Sequence, residues 1–150
     1  MLKLISLLLL VASSAALNPI QAHLPIEAQF ASAVKNGDAK TVAEILENYK
    51  IDVNLPIDGK THLTRAAINS LARTHSFTDW FYDNPYVDII RTLVKHGANP
   101  CILTSEWSYF DGHWHEYGTT MDLYLHYAYG GPGTPRTDII RLIQCSSRIV

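Results

Sequence analysis

Apolar residues recur at three- and four-residue steps from Ile26 onward, with Phe30, Ala33, Val34, Val42, Ile45 and Leu46 falling on helical faces. Gly37 and Asp38 interrupt that period. Glycine tolerates the left-handed backbone that closes a helix, and an aspartate carboxylate accepts hydrogen bonds from the free N–H groups that open the next. The pattern predicts an antiparallel helix pair over 26–36 and 39–48.

In residues 51–59 (IDVNLPIDG) the period disappears and Asp, Asn, Pro and Gly collect, which predicts an extended turn. Helix resumes after Thr61, a capping residue, with Leu63, Ala66, Ala67 and Leu71 on one face. The small alanines permit close helix approach. A polar and aromatic stretch over 74–86 precedes a helix over 87–95 that carries Ile89, Ile90 and Leu93 and ends at Gly97. The cycle then returns less clearly. An irregular segment over 105–118 leads to a helix over 120–129, a break at 130–133 (GGPG) and a last helix from about Thr137. Asp138, Ile139, Ile140 and Arg141 repeat Asp88, Ile89, Ile90 and Arg91 letter for letter on the same element of the cycle.

These residues resemble the ankyrin-repeat family, whose unit is a turn plus two antiparallel helices of the form DGxTPLHxAA...GxxxxVxxLLxxGADVN. Asp58, Gly59, Thr61, Leu63, Ala66 and Ala67 match the start of a unit. Its end is matched by Val42, Ile45, Leu46, Asp52, Val53 and Asn54, and again by Ile89, Ile90, Leu93, Gly97, Ala98 and Asn99. The resemblance implies an all-α fold, an ankyrin-like stack of about three helix-turn-helix repeats, and a concave protein-binding side. It also has departures. His62 stands where the family has Pro and Thr64 where it has His, so the usual hydrogen bonds at the helix start are altered. The third repeat keeps Gly118 and Thr120 but has Met121 and Asp122 in place of Pro and Leu. Leu46, Leu93 and Ile143 are spaced well beyond the family's unit of about 33 residues, so each repeat carries an insertion of about fifteen. One helix pair cannot bury its apolar face alone, whereas a stack of pairs makes a continuous core.

Ahead of this domain, Lys3 and the apolar run 4–11 (LISLLLLV) predict a signal peptide over residues 1–22, cut after Ala16 or Ala22, which leaves 23–150 as the domain. The run is short of the roughly 20 apolar residues that span a bilayer, which disfavours an uncleaved anchor. A periplasmic or secreted protein is therefore expected. Export gives meaning to the two cysteines: a Cys101–Cys145 disulfide is the expected pairing, with two unpaired buried thiols as the alternative. At a formal net charge of −2, and with no basic run, nucleic acid is a poor partner.

The insertions hold the candidate chemistry. The first includes Trp80, Phe81, Tyr82 and Asp83; the second includes Glu106, Trp107, Tyr109, Phe110, Asp111, His113, Trp114, His115 and Glu116. Aromatic anchors ringed by acids suit an interface that fills pockets on another protein and steers a basic partner; the same rings would also serve as a small core for the insertions. His113, His115 and Glu116 are spaced so that they could share a metal, with His75 or His126 as further ligands, but the spacing does not require it and no cofactor or metal is expected. No nucleophile elbow, zinc-protease helix or phosphate loop occurs, and GGPG lacks the lysine and preceding strand of the last. The expected function is a non-enzymatic protein-binding module. Small exported ankyrin-like proteins resemble immunity proteins that cap a toxic effector enzyme. A chaperone-like or scaffolding partner of an exported enzyme is the alternative, followed by a metal-dependent hydrolase or metal-binding protein.

Overall fold

A computed structural model of the protein describes residues 24–72, 84–108, 113–130 and 135–145. The expected signal peptide lies outside them. The first helix pair forms where the period predicts it: α1 (Ile26–Asn36) and α2 (Ala39–Asn48). Gly37 takes the left-handed conformation, φ 76°, and Asp38 N–H returns to Ala33 O at 2.9 Å, closing α1. The Asp38 carboxylate then opens α2 by accepting from Thr41 N and Thr41 Oγ1 at 3.0 and 2.7 Å.

α3 (His62–Ala72) starts on the Thr61 cap, with Thr64 N–H donating to Thr61 Oγ1 at 3.2 Å. α4 (Pro85–Lys95) begins two residues ahead of the predicted start. The cause is local: Asn84 caps it by accepting from Tyr86 N, and Pro85 occupies the first turn, where no N–H is needed. α5 (Thr120–Gly130) and α6 (Thr137–Ile143) follow.

The protein is mostly helical, and among the described residues one segment departs from the all-α expectation. The segment expected to be irregular forms a two-stranded antiparallel ribbon, β1 (Thr104–Ser108) and β2 (His113–Gly118).

The helices pack in two layers. α3 lies between α1 and α5, α4 lies between α2 and α6, and α3 packs on α4 across the layers. Phe30, Val34, Val42, Leu63, Ile89, Ile90, Leu93, Tyr124, Ile139 and Ile143 are fully buried in the shared interior. Each such aliphatic or aromatic side chain contributes about 1.5–3 kcal/mol of transfer free energy. The repeated quartet shows what position among the helices does to identical residues. Ile89 and Ile139 are both buried, but Ile90 is buried in the middle helix while Ile140, on the last one, is only partly so. The acids differ too: Asp88 pairs with Arg91 at 3.2 Å, whereas Asp138 is held by Arg136 through two contacts of 3.1 and 2.8 Å.

Candidate functional site

The ribbon is built out from three anchors at its base. The turns after α2 and α4 are joined side by side: Asn99 N–H donates to Asn54 Oδ1 at 2.7 Å, and Asn54 Nδ2 donates to Gly97 O at 3.1 Å. Asn99 Oδ1 also accepts from Cys101 N at 2.9 Å, which turns the chain toward β1. The second anchor is the turn around the Ile57–Lys60 bridge. Ser105 N–H donates to Gly59 O at 2.9 Å. Gly59 has φ 74°, and a Cβ there would stand 2.6 Å from Ser105 O, so no side chain fits between turn and ribbon. Arg65, one turn into α3, braces this turn from behind by donating to Ile57 O and to Asp58 Oδ2.

The third anchor is the exit from β2. Gly118, φ 83°, releases the chain into Thr119, whose N–H and Oγ1 both donate to Asp122 Oδ2 at 2.7 Å and so cap α5. Thr120 N–H donates to Pro100 O at 3.2 Å, and Thr104 Oγ1 donates to Gly118 O at the same distance. Thr120 Oγ1 meets Thr64 Oγ1 at 2.8 Å inside the stack.

From this base the register pairs Ser105 with Glu116, Glu106 with His115, Trp107 with Trp114 and Ser108 with His113, after one irregularity next to Thr104. Six of the residues singled out from sequence are thus brought onto one ribbon: Glu106, Trp107, His113, Trp114, His115 and Glu116. Glu116 is exposed. Tyr109, Phe110 and Asp111, and the other group of Trp80, Phe81, Tyr82 and Asp83, lie outside the described residues.

Several contacts of this region escape sequence reasoning. Tyr117 packs against His126 of α5 with ring centroids 4.7 Å apart and planes tilted by 46°, which ties the ribbon's foot to the helix, and His126 meets its neighbour Tyr127 edge-on at 5.8 Å. Leu55 and Leu103, on the joined turns, are 56% and 68% exposed, large apolar side chains left in water beside the ribbon. His62 lies buried at the start of α3, its ring 4.7 Å from that of Phe30, and its Nδ1 has no hydrogen-bond partner. Burial, helped by the Arg65 charge, pushes its pKa down to about 4, so the ring is neutral at physiological pH.

Cys101 and Cys145 form a disulfide, Cα to Cα 5.0 Å, across a sequence separation of 44. Among the described residues no three His, Cys, Asp or Glu side chains converge as metal ligands; the side chains of His113 and His115 are not among those described. Nor is any described helix long and apolar enough to cross a membrane. No protein-family model, curated protein or solved structure matches the chain.

Proposed function

We propose that the protein is an exported, non-enzymatic binding module of the ankyrin type, and that it acts by covering another protein with its β1–β2 ribbon. The helical layers supply the rigid body, with α1, α3 and α5 in one row and α2, α4 and α6 in the other. The disulfide suits an oxidising compartment such as the periplasm or the outside of the cell.

One observation carries the reading: the ribbon register sets Trp107 opposite Trp114 and Glu106 opposite His115, on a base fixed to the stack at Gly59, Asn54 and Thr64. A pre-ordered element rich in tryptophan needs little further ordering when it docks, and buried tryptophans dominate the energetics of such contacts. The exposed Leu55 and Leu103 add apolar surface on the joined turns that carry it. A partner whose cleft accepts a ribbon, such as a toxic effector enzyme neutralised by this chain, fits that shape. The mechanism is steric: rings fill the cleft, and the negative charge of Glu106 and Glu116 steers a basic surface toward it.

The test uses the mature protein as bait on extracts of its source organism, with Trp107→Ala and Trp114→Ala as comparison baits. The expected result is a stoichiometric partner whose Kd is weakened at least tenfold by either substitution, with the helical signal unchanged. Folded variants that retain wild-type affinity for every captured protein would show that the ribbon is structural.

A further inference from the structure

We propose that the Cys101–Cys145 bridge is a redox-sensitive latch on the C-terminal third of the domain: its reduction frees α6 and loosens the foot of the ribbon while α1 to α4 stay folded. The inference does not depend on what the ribbon binds.

The latch follows from how little else holds α6. The helix has seven residues, too few to be stable in water by itself, and Arg136 at its start offers no side-chain cap. Its other described ties are Ile139 and Ile143 inserted against the core, Ile140 and Leu142 packed partly buried on it, and Arg136 N–H donating to the Tyr124 hydroxyl at 3.0 Å. Ile140 is only partly buried, and among the described residues no helix packs on the far side of α6. The disulfide joins the residue two past the end of this helix to the segment that enters β1 only three residues on. It therefore closes a ring containing β1, β2, α5 and α6, and chain entropy makes the opening of a loop of that size roughly a thousandfold more favourable once the bond is cut.

The other end of the domain has its own support. α1, α2, α3 and α4 contact one another directly, and their buried residues, from Phe30 to Leu93, all precede the bridge. In stacks of this kind each unit touches only its neighbours, so an end unit opens without unfolding the rest. Both cysteines are partly exposed, which leaves the bond within reach of a dithiol reductant. One thiolate of the dithiol attacks a bridge sulfur, the Sγ–Sγ bond breaks and a mixed disulfide forms. The second thiol closes onto the first, and the two cysteines leave as thiols with two electrons and two protons, the dithiol being oxidised to its disulfide.

Hydrogen exchange of the full mature protein, oxidised and after dithiothreitol treatment without denaturant, tests the latch. With two free thiols titrated, amides of α6 are expected to lose about a hundred- to a thousandfold of protection and those of β1 and β2 a smaller factor, while α3 and α4 change less than twofold. A Cys101→Ser, Cys145→Ser double variant should match the reduced protein. Unchanged protection of α6 in the reduced protein overturns the proposal. So does loss of protection in all helices together, or a bridge that the dithiol leaves intact.

Discussion

The hydroxyls of Thr64 and Thr120 lie 2.8 Å apart, both fully buried, at the first turns of α3 and α5. Thr64 Oγ1 also meets Thr61 Oγ1 at 3.0 Å, so three hydroxyls satisfy one another where two helix starts meet in the interior. Thr64→Val leaves two of them without this partner and is expected to cost about 2 kcal/mol, against about 1 kcal/mol for Thr120→Val. Urea unfolding of both single variants and the double variant would yield a coupling energy above about 0.5 kcal/mol if the contact is real in solution. Strict additivity would show that it is not.

Two glycines with the same backbone handedness should respond differently to alanine. Gly97, φ 87°, has nothing within 4 Å of an added Cβ, so Gly97→Ala carries only the left-handed penalty of about 1 kcal/mol. Gly59→Ala adds a collision with the Ser105 carbonyl and should cost about 2–3 kcal/mol. Amide exchange in β1 should also rise in Gly59→Ala and stay unchanged in Gly97→Ala. Equal costs at the two sites would mean that turn and ribbon do not touch.

His62 gives stability a pH dependence with a definite sign. Its pKa falls from 6.5 in the unfolded chain to about 4 in the fold, so between those values the unfolded chain binds the extra proton. This contribution is complete above about pH 6.5, is lost as pH falls toward 4, and levels off below that. His62→Leu, which removes the unpartnered Nδ1, should flatten the denaturant midpoint across that window. A midpoint that drops equally in both proteins would place the acid sensitivity elsewhere.

The repeated Ile pair tests the end effect. Ile90→Ala opens a cavity in the middle of the stack and should cost about 3–4 kcal/mol. Ile140→Ala, at a partly solvated position, should cost about 1 kcal/mol. Thermal melts of the two variants suffice, and similar shifts would contradict an open end at α6.

What the sequence made legible was whatever depends on near neighbours. The boundaries of α1 and α2 follow from period, glycine and aspartate within a few residues, and the Thr61 cap is equally local. α4 starts early because Asn84 and Pro85, read as part of a polar stretch, are in fact its cap and first turn. The ribbon was missed as a strand pair because TSEWS and HWHEYG lack the alternating β-branched residues of a half-buried strand. Long-range contacts at Gly59 and Gly118 set its base. The site itself was legible as composition, a cluster of Trp, His and Glu, but nothing local pairs position 107 with 114. Thr64 stood out as a departure from the family pattern, yet its partner Thr120 is 56 residues away. A histidine at a helix start looks like a surface residue, and the burial of His62 against Phe30 comes from how α1 and α3 meet.

The asparagine clamp has a geometric corollary. Because Asn54 grips both Gly97 and Asn99, the two turns behave as one plate, and the strand leaving that plate inherits its heading from a residue in the turn after α2. Losing the side-chain amide at position 54 would therefore uncouple the two turns and leave the ribbon to its remaining anchors at Gly59 and Gly118.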